Sequence, residues 1–285
     1  MRVIEFLAKH VLPTVLPIAA GYLVARFAGG AAQGLRSALR FAFLPALLFT
    51  VLKTPTPDEV VLKTLVVGAA TVLVGHWLAG AAGRWLKTAV PHNGTVPDIV
   101  GFTLPFLALS WDMKALGMRA AALLAVGALL TAFLLDPRKR NAKALFREPW
   151  VYGVLAALLV ALFGQPLGFL AKSVAPFESA AVYALFLFYL GSLMHPVTRA
   201  QLLAKQTWVV VGLRLLAGVA VGLAAVFLFH PPRVVLEAYV VAMLAPPVGV
   251  TAALAGKEDV DDRAALVAGT LVSLLGMILL LVLDW

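Results

Sequence analysis

YVVAMLAPPVGVTAALAG, residues 239–256, is the stretch of sequence that decides the fold of this chain. The run is apolar and long enough to enter a membrane, but Pro246 and Pro247 interrupt it near its middle. Proline lacks a backbone N–H and clashes with the preceding helical turn, so we predict two half-helices rather than one spanning helix. Backbone released from helical bonding at membrane depth is tolerated only where it is buried in protein or lines a wet cavity. The interruption is therefore a candidate binding site.

The first half of the chain contains a comparable segment, PDIVGFTLPFLALSW, residues 97–111. It is short for a membrane span and carries Pro105 at its centre. Short or proline-interrupted apolar segments at corresponding places in two halves of a chain indicate the binding site of a transporter. The two segments together predict that both interruptions line one site.

The composition predicts an all-α, multi-pass membrane protein. Of the 285 residues, 62% are hydrophobic and 13% are charged, whereas about 25% of residues are charged in an average soluble domain. The chain has no cysteine, which excludes disulfides and thiolate chemistry. The formal net charge of +9 is first to be explained by membrane topology, and it does not imply a nucleic-acid partner.

Ten apolar runs predict ten transmembrane helices, since a helix needs roughly 20 residues to cross a bilayer. They lie near residues 10–29, 37–53, 60–82, 95–111, 116–135, 149–170, 178–197, 206–229, 234–256 and 263–283.

The basic stretch 136–148 divides the chain into a first five-helix unit, residues 1–135, and a second, residues 149–285. Because cytoplasmic loops carry an excess of Lys and Arg, we expect this loop to be cytoplasmic and the N-terminus to lie outside. The remaining loops show a moderate bias of the same sign. We expect the protein to reside in the cell membrane, which is the plasma or inner membrane.

A short internal similarity predicts that the two units are repeats. MRAAAL, residues 118–123, begins the fifth span, and DRAAL, residues 262–266, begins the tenth, each after its proline-containing segment. Because each unit holds an odd number of spans, the second would insert upside down relative to the first.

Charged residues within spans are costly and invite a functional hypothesis. Asp98 either caps a half-helix, which is the favoured interpretation, or binds a coupling proton or cation beside the crossing. Arg214 is expected to extend outward to the interface, with anion binding as the alternative. Glu237 is expected to be a loop or interfacial residue.

The polar and proline residues around the two interruptions are the candidate substrate site: Asn93, Thr103, Pro105, Pro246, Pro247 and Thr251. An anion is the expected guest, because half-helix N-termini present free N–H groups. Each hydroxyl has an alternative role in bonding between helices, and the GxxxG spacing of Gly218 and Gly222 is typical of close helix packing. We identify no catalytic residue, no metal-ligand spacing and no cofactor motif.

Three motifs in order give the chain its resemblance to a known family: GYLVARFAGGAAQGLRSALRFAFLPALLF at 21–49, GFTLPFLAL at 101–109, and AMLAPPVGVTAAL at 242–254. With these the chain resembles, over its whole length, the auxin efflux carrier family of membrane transporters, which includes plant PIN-type carriers and bacterial dicarboxylate carriers.

The resemblance implies a five-plus-five inverted repeat in which the fourth and ninth helices cross at Pro105 and at Pro246 and Pro247. Spans 3–5 and 8–10 would form a moving transport domain that works as an elevator. Spans 1, 2, 6 and 7 would form a scaffold that could assemble as a homodimer. One departure is that Asp98 stands where the family usually has asparagine, and this makes proton coupling more plausible.

The leading functional hypothesis is therefore a secondary transporter of small organic anions such as carboxylates, embedded in the lipid bilayer, with a proton or sodium ion as coupling partner. The alternatives are a sodium-coupled carrier similar to the bile-acid symporters and a non-transporting membrane sensor. We do not expect an enzyme, since GxSxG, HExxH and paired intramembrane aspartates do not occur in the sequence.

Overall fold

A computed structural model describes residues 5–27, 31–86, 96–111, 113–135, 142–163, 179–247 and 263–284, with Lys172, Val174 and Phe177. These residues are helical with short connections, and none of them belongs to a strand. The all-α prediction is therefore confirmed for this part of the chain. Two of the predicted site residues, Asn93 and Thr251, and positions 136–141 of the basic loop lie outside it.

Each predicted apolar run holds a helix, and we number these helices in chain order. Their bounds are α1 Leu7–Phe27, α2 31–52, α3 Asp58–Leu86, α4 Ile99–Leu109, α5 Ala115–Leu135, α6 Pro149–Phe163, α7 Ala180–Leu193, α8 Lys205–Phe229, α9 Arg233–Leu244 and α10 Arg263–Asp284. Two short helices, Ala142–Leu145 and Arg199–Leu203, lie in the connections.

Six helices in the described residues are long and apolar enough to cross a membrane, namely those within α1, α2, α3, α5, α8 and α10. The helices α4, α6, α7 and α9 are shorter than the roughly 20 residues that a full span needs. The protein is thus an all-α membrane protein, while the count of ten spans stays a prediction.

The outer faces of the helices are apolar, as expected of surfaces that meet lipid. Large apolar side chains such as Trp77, Leu216 and Phe227 are more than half exposed. The most enclosed helix is α5, in which Ala120–Leu124 are all buried. It packs against α2, α3, α4 and α9, so the core of the molecule lies around it.

Glycines at helix contacts let the backbones approach closely, which is the usual mode of packing between membrane helices. In the α1/α7 pair, a Cβ at Gly21 would lie 1.8 Å from the carbonyl oxygen of Phe188. A Cβ at Gly191 would lie 2.0 Å from the carbonyl oxygen of Ile18. In the α2/α6 pair, a Cβ at Gly153 would lie 2.2 Å from the carbonyl oxygen of Pro45. These positions hold glycine because any side chain would push two helices apart.

We therefore expect Gly21→Ala to lower the free energy of unfolding by about 1–3 kcal/mol, the usual cost of overpacking. The matched control is Gly212→Ala in α8, where a Cβ would meet no atom within 4 Å. That variant should keep or raise the free energy of unfolding, by up to about 1 kcal/mol, because alanine is the better helix former. Equilibrium unfolding of the detergent-solubilised variants measures both values, and equal stability of the two would contradict the packing described for α1 and α7.

Candidate functional site

The predicted interruption at Pro246 and Pro247 is present. Helix α9 ends at Leu244, and Ala245 has an extended backbone with φ −55° and ψ 146°. A residue before proline is disfavoured in the helical region, and proline itself cannot donate the next helical hydrogen bond. The two prolines therefore end α9 well short of a full span. The half-helix expected to follow them falls on residues 248–262, outside the described part of the chain.

In the first segment the interruption lies at Pro97 and Asp98, so the predicted break at Pro105 is wrong. Helix α4 begins with a π-helical turn, Ile99–Thr103, and continues through Pro105 as the α-helix Leu104–Leu109. Pro105 occupies the first turn of that α-helical part, where its missing N–H is tolerated. The wider π-helical turn before it also changes the hydrogen-bond pattern that proline would otherwise disrupt.

The two interrupted segments meet in an antiparallel backbone contact. Pro97 and Pro247 form an isolated β-bridge, and the Asp98 N–H donates to the Pro246 carbonyl oxygen at 2.9 Å. Residues 96–98 and 245–247 are all buried. This contact, which we call the crossing, lies at Pro97 and Asp98 and not at Pro105, where the resemblance implied that the two helices cross.

Asp98 caps α4, as the favoured interpretation expected. Its Oδ1 accepts a hydrogen bond from the Gly101 N–H at 3.0 Å, and the residue is fully buried. A carboxylate at this position is stabilised by the free N–H groups and by the positive end of the helix dipole. The cap explains why an acid is tolerated here, and it leaves a role in ion coupling as a separate hypothesis.

Two buried hydroxyls near the crossing have no hydrogen-bond partner. They are Thr103, the last residue of the π-helical turn, and Thr270 on α10. Thr270 follows Gly269, at which a Cβ would lie 2.1 Å from Cδ of Pro247. By contrast, the buried Ser273 hydroxyl donates to the Gly269 carbonyl oxygen at 2.7 Å. Since buried hydroxyls are normally bonded, Thr103 and Thr270 are the candidates for a ligand contact among the described hydroxyls near these segments.

Arg214 does not extend to the interface, so that prediction is wrong. Its side chain is buried with 1% exposure, and its Nη2 donates to the Ala242 carbonyl oxygen of α9 at 2.8 Å. The negative end of the α9 dipole attracts the cation. Gly218 leaves room for the Arg214 guanidinium, because a Cβ at Gly218 would lie 2.8 Å from Nη1 of Arg214. Nε and Nη1 of Arg214 have no hydrogen-bond partner.

The remaining charged residues of the region have conventional roles. Glu237 pairs with Arg233 at 3.1 Å on the exposed side of α9, in agreement with the interfacial assignment. Among the described residues, no group of three His, Asp or Glu side chains is placed to hold a metal ion. The backbone N–H of Asp98 and the side chain of Arg214 thus bond to the same short stretch, at Pro246 just beyond α9 and at Ala242 in its last turn.

Sequence reasoning missed two members of this site. Thr270 lies in a regular apolar helix, where nothing distinguishes its hydroxyl from those that bond their own backbone. Pro97 stands at the start of the first segment, whereas Pro105 at its centre gives the stronger local signal for an interruption. Of the predicted residues, the structure brings Asp98, Pro246 and Pro247 into one contact.

No model of a known protein family matches this chain, and no curated protein matches it either. The likeness to the auxin efflux carrier family therefore stays a prediction from the sequence motifs.

The cap at α4 is testable by stability. We expect Asp98→Ala to lower the free energy of unfolding by about 1 kcal/mol, because the Gly101 N–H loses its acceptor. Asp98→Asn keeps a side-chain oxygen at the same place and should retain most of that stability. Equilibrium unfolding in detergent compares the two, and equal losses for Ala and Asn would argue against the cap.

Proposed function

We propose that this protein is a secondary transporter of small organic anions that works by alternating access. The observation that carries the proposal is the buried contact between two interrupted apolar segments at Pro97 and Pro247. Membrane proteins tolerate non-helical backbone inside the bilayer only where it is buried in protein or lines a wet cavity. Discontinuous helices that meet near the midplane are the usual substrate site of secondary transporters.

Matched contacts support the proposed inverted repeat. Arg119, near the start of α5, donates to the carbonyl oxygen of Pro55 at 2.5 Å, in the connection after α2. Arg263, at the start of α10, donates to the carbonyl oxygen of His195 at 2.6 Å, and His195 lies in the connection after α7. These are the two arginines of the internal similarity, and in a five-plus-five repeat α5 corresponds to α10 and α2 to α7.

The packing of the helices supports the same correspondence. Helix α1 packs against α7, and α2 packs against α6. An inverted repeat that relates α1 to α6 and α2 to α7 exchanges these two pairs with each other. We therefore propose ten spans, with units at residues 1–135 and 149–285 joined by the loop 136–148.

The close helix pairs can be sorted into two groups. Helices α1, α2, α6 and α7 form two close pairs, α8 packs against α3, α9 and α10, and α5 packs against α3 and α9. The two groups meet where α4 packs against α7 and where α5 packs against α2. We propose that α1, α2, α6 and α7 are a scaffold, which could assemble as a homodimer. Helices α3–α5 and α8–α10 would move with the substrate. This division is the one that the family resemblance implies.

The proposed site consists of Asp98, Thr103 and the crossing prolines, with Pro105, Asn93 and Thr251 as further candidates. Asp98 is the proposed coupling group, since a buried carboxylate beside an anion is less costly when it binds a proton or a cation. The protein would reside in the cell membrane with its N-terminus outside and the loop 136–148 cytoplasmic. Sodium coupling is the alternative for the coupling ion.

Transport is tested with purified protein in liposomes. We expect uptake of labelled organic anions, for which benzoate, phenylacetate and malonate are suitable probes, and stimulation of that uptake by an imposed pH gradient. Asp98→Asn should transport without responding to the gradient, because it keeps the cap but carries no titratable group. The matched control is Asp58→Asn, at the exposed start of α3, which should behave like the parent.

The outcomes separate the alternatives. A response to a sodium gradient instead of a pH gradient would favour the sodium-coupled carrier. If the pH gradient stimulates the parent and Asp98→Asn equally, Asp98 is not the coupling group, although the protein is still a carrier. Binding of an anion without any flux would overturn the transporter and favour a membrane sensor.

A further inference from the structure

We infer that Arg214 is a built-in cation at the interrupted end of α9, in the place where a sodium-coupled carrier would bind its ion. The guanidinium holds the backbone oxygens that a sodium ion would otherwise coordinate, and this makes the protein independent of sodium. The inference rests on the proposed function, because it concerns the choice of coupling ion in a carrier. Its structural part, a tethered cation that fills the end of α9, is testable without transport.

The two prolines leave the end of α9 short of hydrogen-bond donors. In a continuous helix the carbonyl oxygens of Ala242 and Met243 would accept from the N–H groups of residues 246 and 247. Both of those residues are proline, which has no N–H. The Ala245 N–H turns back to the Ala242 oxygen at 3.2 Å. Inside a bilayer, water does not replace the missing donors, so a donor or a cation from another part of the protein must take their place.

Arg214 of α8 supplies that partner. Its Nη2 donates at 2.8 Å to the carbonyl oxygen of Ala242, the residue whose helical donor would have been residue 246. Nη1 lies close to the second carbonyl, since a Cβ built on Gly218 would be 2.8 Å from Nη1 and 2.4 Å from the Met243 oxygen. The guanidinium therefore lies against the negative end of the α9 dipole.

A carboxylate does not neutralise this side chain. None of the ion pairs in the described part of the chain includes Arg214. Arginine keeps its charge at neutral pH, and Arg214 is buried. Because an isolated buried charge is costly, the carbonyl oxygens and the dipole of α9 are what stabilises it. A place that stabilises an uncompensated cation in this way has the chemistry of a cation site.

The end of α9 is also where a coupling ion is expected. In secondary transporters with discontinuous helices, the C-terminal ends of half-helices and the unwound carbonyls coordinate the coupling sodium ion or proton. Ala242 lies four residues before Pro246, whose carbonyl oxygen accepts from the Asp98 N–H at 2.9 Å. The guanidinium and the crossing thus share one short stretch of backbone. A free ion binds and leaves in each transport cycle, whereas Arg214 is tethered and stays, so a sodium gradient has no ion site to act on here.

The test is thermal unfolding of the purified, detergent-solubilised protein in sodium, lithium or choline chloride at equal ionic strength. Choline is too large for such a site and gives the baseline. The parent should unfold at the same temperature in all three salts, within about 1 °C, because the guanidinium already occupies the site. The measurement does not require flux. A failure of the liposome experiment would therefore remove the carrier and leave this result standing.

Three variants of Arg214 separate a cation from a mere hydrogen-bond donor. Arg214→Ser empties the place and leaves a side-chain oxygen, so sodium or lithium should raise its unfolding temperature by at least about 3 °C over choline. Arg214→Met fills similar space without a charge and should be destabilised equally in all three salts. Arg214→Lys keeps the charge and should be as insensitive to the salt as the parent. The matched control is Arg233→Gln at the exposed start of α9, which should behave like the parent.

Several results would overturn the inference. Stabilisation of the parent by sodium or lithium would show that Arg214 does not replace the ion. Equal unfolding temperatures of Arg214→Ser in all three salts would reduce Arg214 to a hydrogen-bond donor that caps α9. If Arg214→Ser does not fold, Arg214→Asn takes its place with the same two outcomes. If neither variant folds in sodium chloride, the inference fails as well, because sodium is expected to substitute for the guanidinium.

Discussion

The structure depends on the hydrogen bond between the Asp98 N–H and the Pro246 carbonyl oxygen. Inside a bilayer each backbone group needs a partner within the protein. A helix that stops at a proline leaves groups unpaired, and here the other interrupted segment supplies a partner. Each interruption is thus tolerated because the second exists. The helices packed around the crossing keep residues 96–98 and 245–247 buried, away from lipid and from competing hydrogen bonds.

The all-α membrane fold and the end of α9 could be predicted from the sequence because they depend on local chemistry. Apolar runs of the right length predict membrane helices, and two adjacent prolines end a helix in almost any surroundings. The interruption in the first segment was harder, since Pro97 and Pro105 are both plausible breaks. The π-helical turn at Ile99–Thr103 decides between them, and a turn of that kind depends on the packing around it.

The polar residues of the site were predicted with mixed success for a similar reason. Asp98 was assigned correctly as a cap because capping is a relation between neighbours in the chain. The long side chain of Arg214 can reach either the interface or the interior. It lies in the interior because α9 supplies the Ala242 carbonyl oxygen and because Gly218 leaves room for the guanidinium. The packing of α9 against α8 cannot be read from the residues around Arg214. Thr270 lies beside the crossing because its helix packs against Pro247 at Gly269, a contact that the sequence of α10 does not reveal.

Asp98 and Arg214 contact the same short element from different helices, and this has a consequence for the proposed carrier. The Asp98 backbone bonds Pro246, and the Arg214 side chain bonds Ala242, so both depend on where α9 ends. Any displacement of this element must therefore break both hydrogen bonds or carry both groups with it. In the proposed carrier, an anion at the crossing and the coupling ion at Asp98 would both bias that displacement. Two sites that bias one structural element are coupled reciprocally, so each would change the affinity for the other.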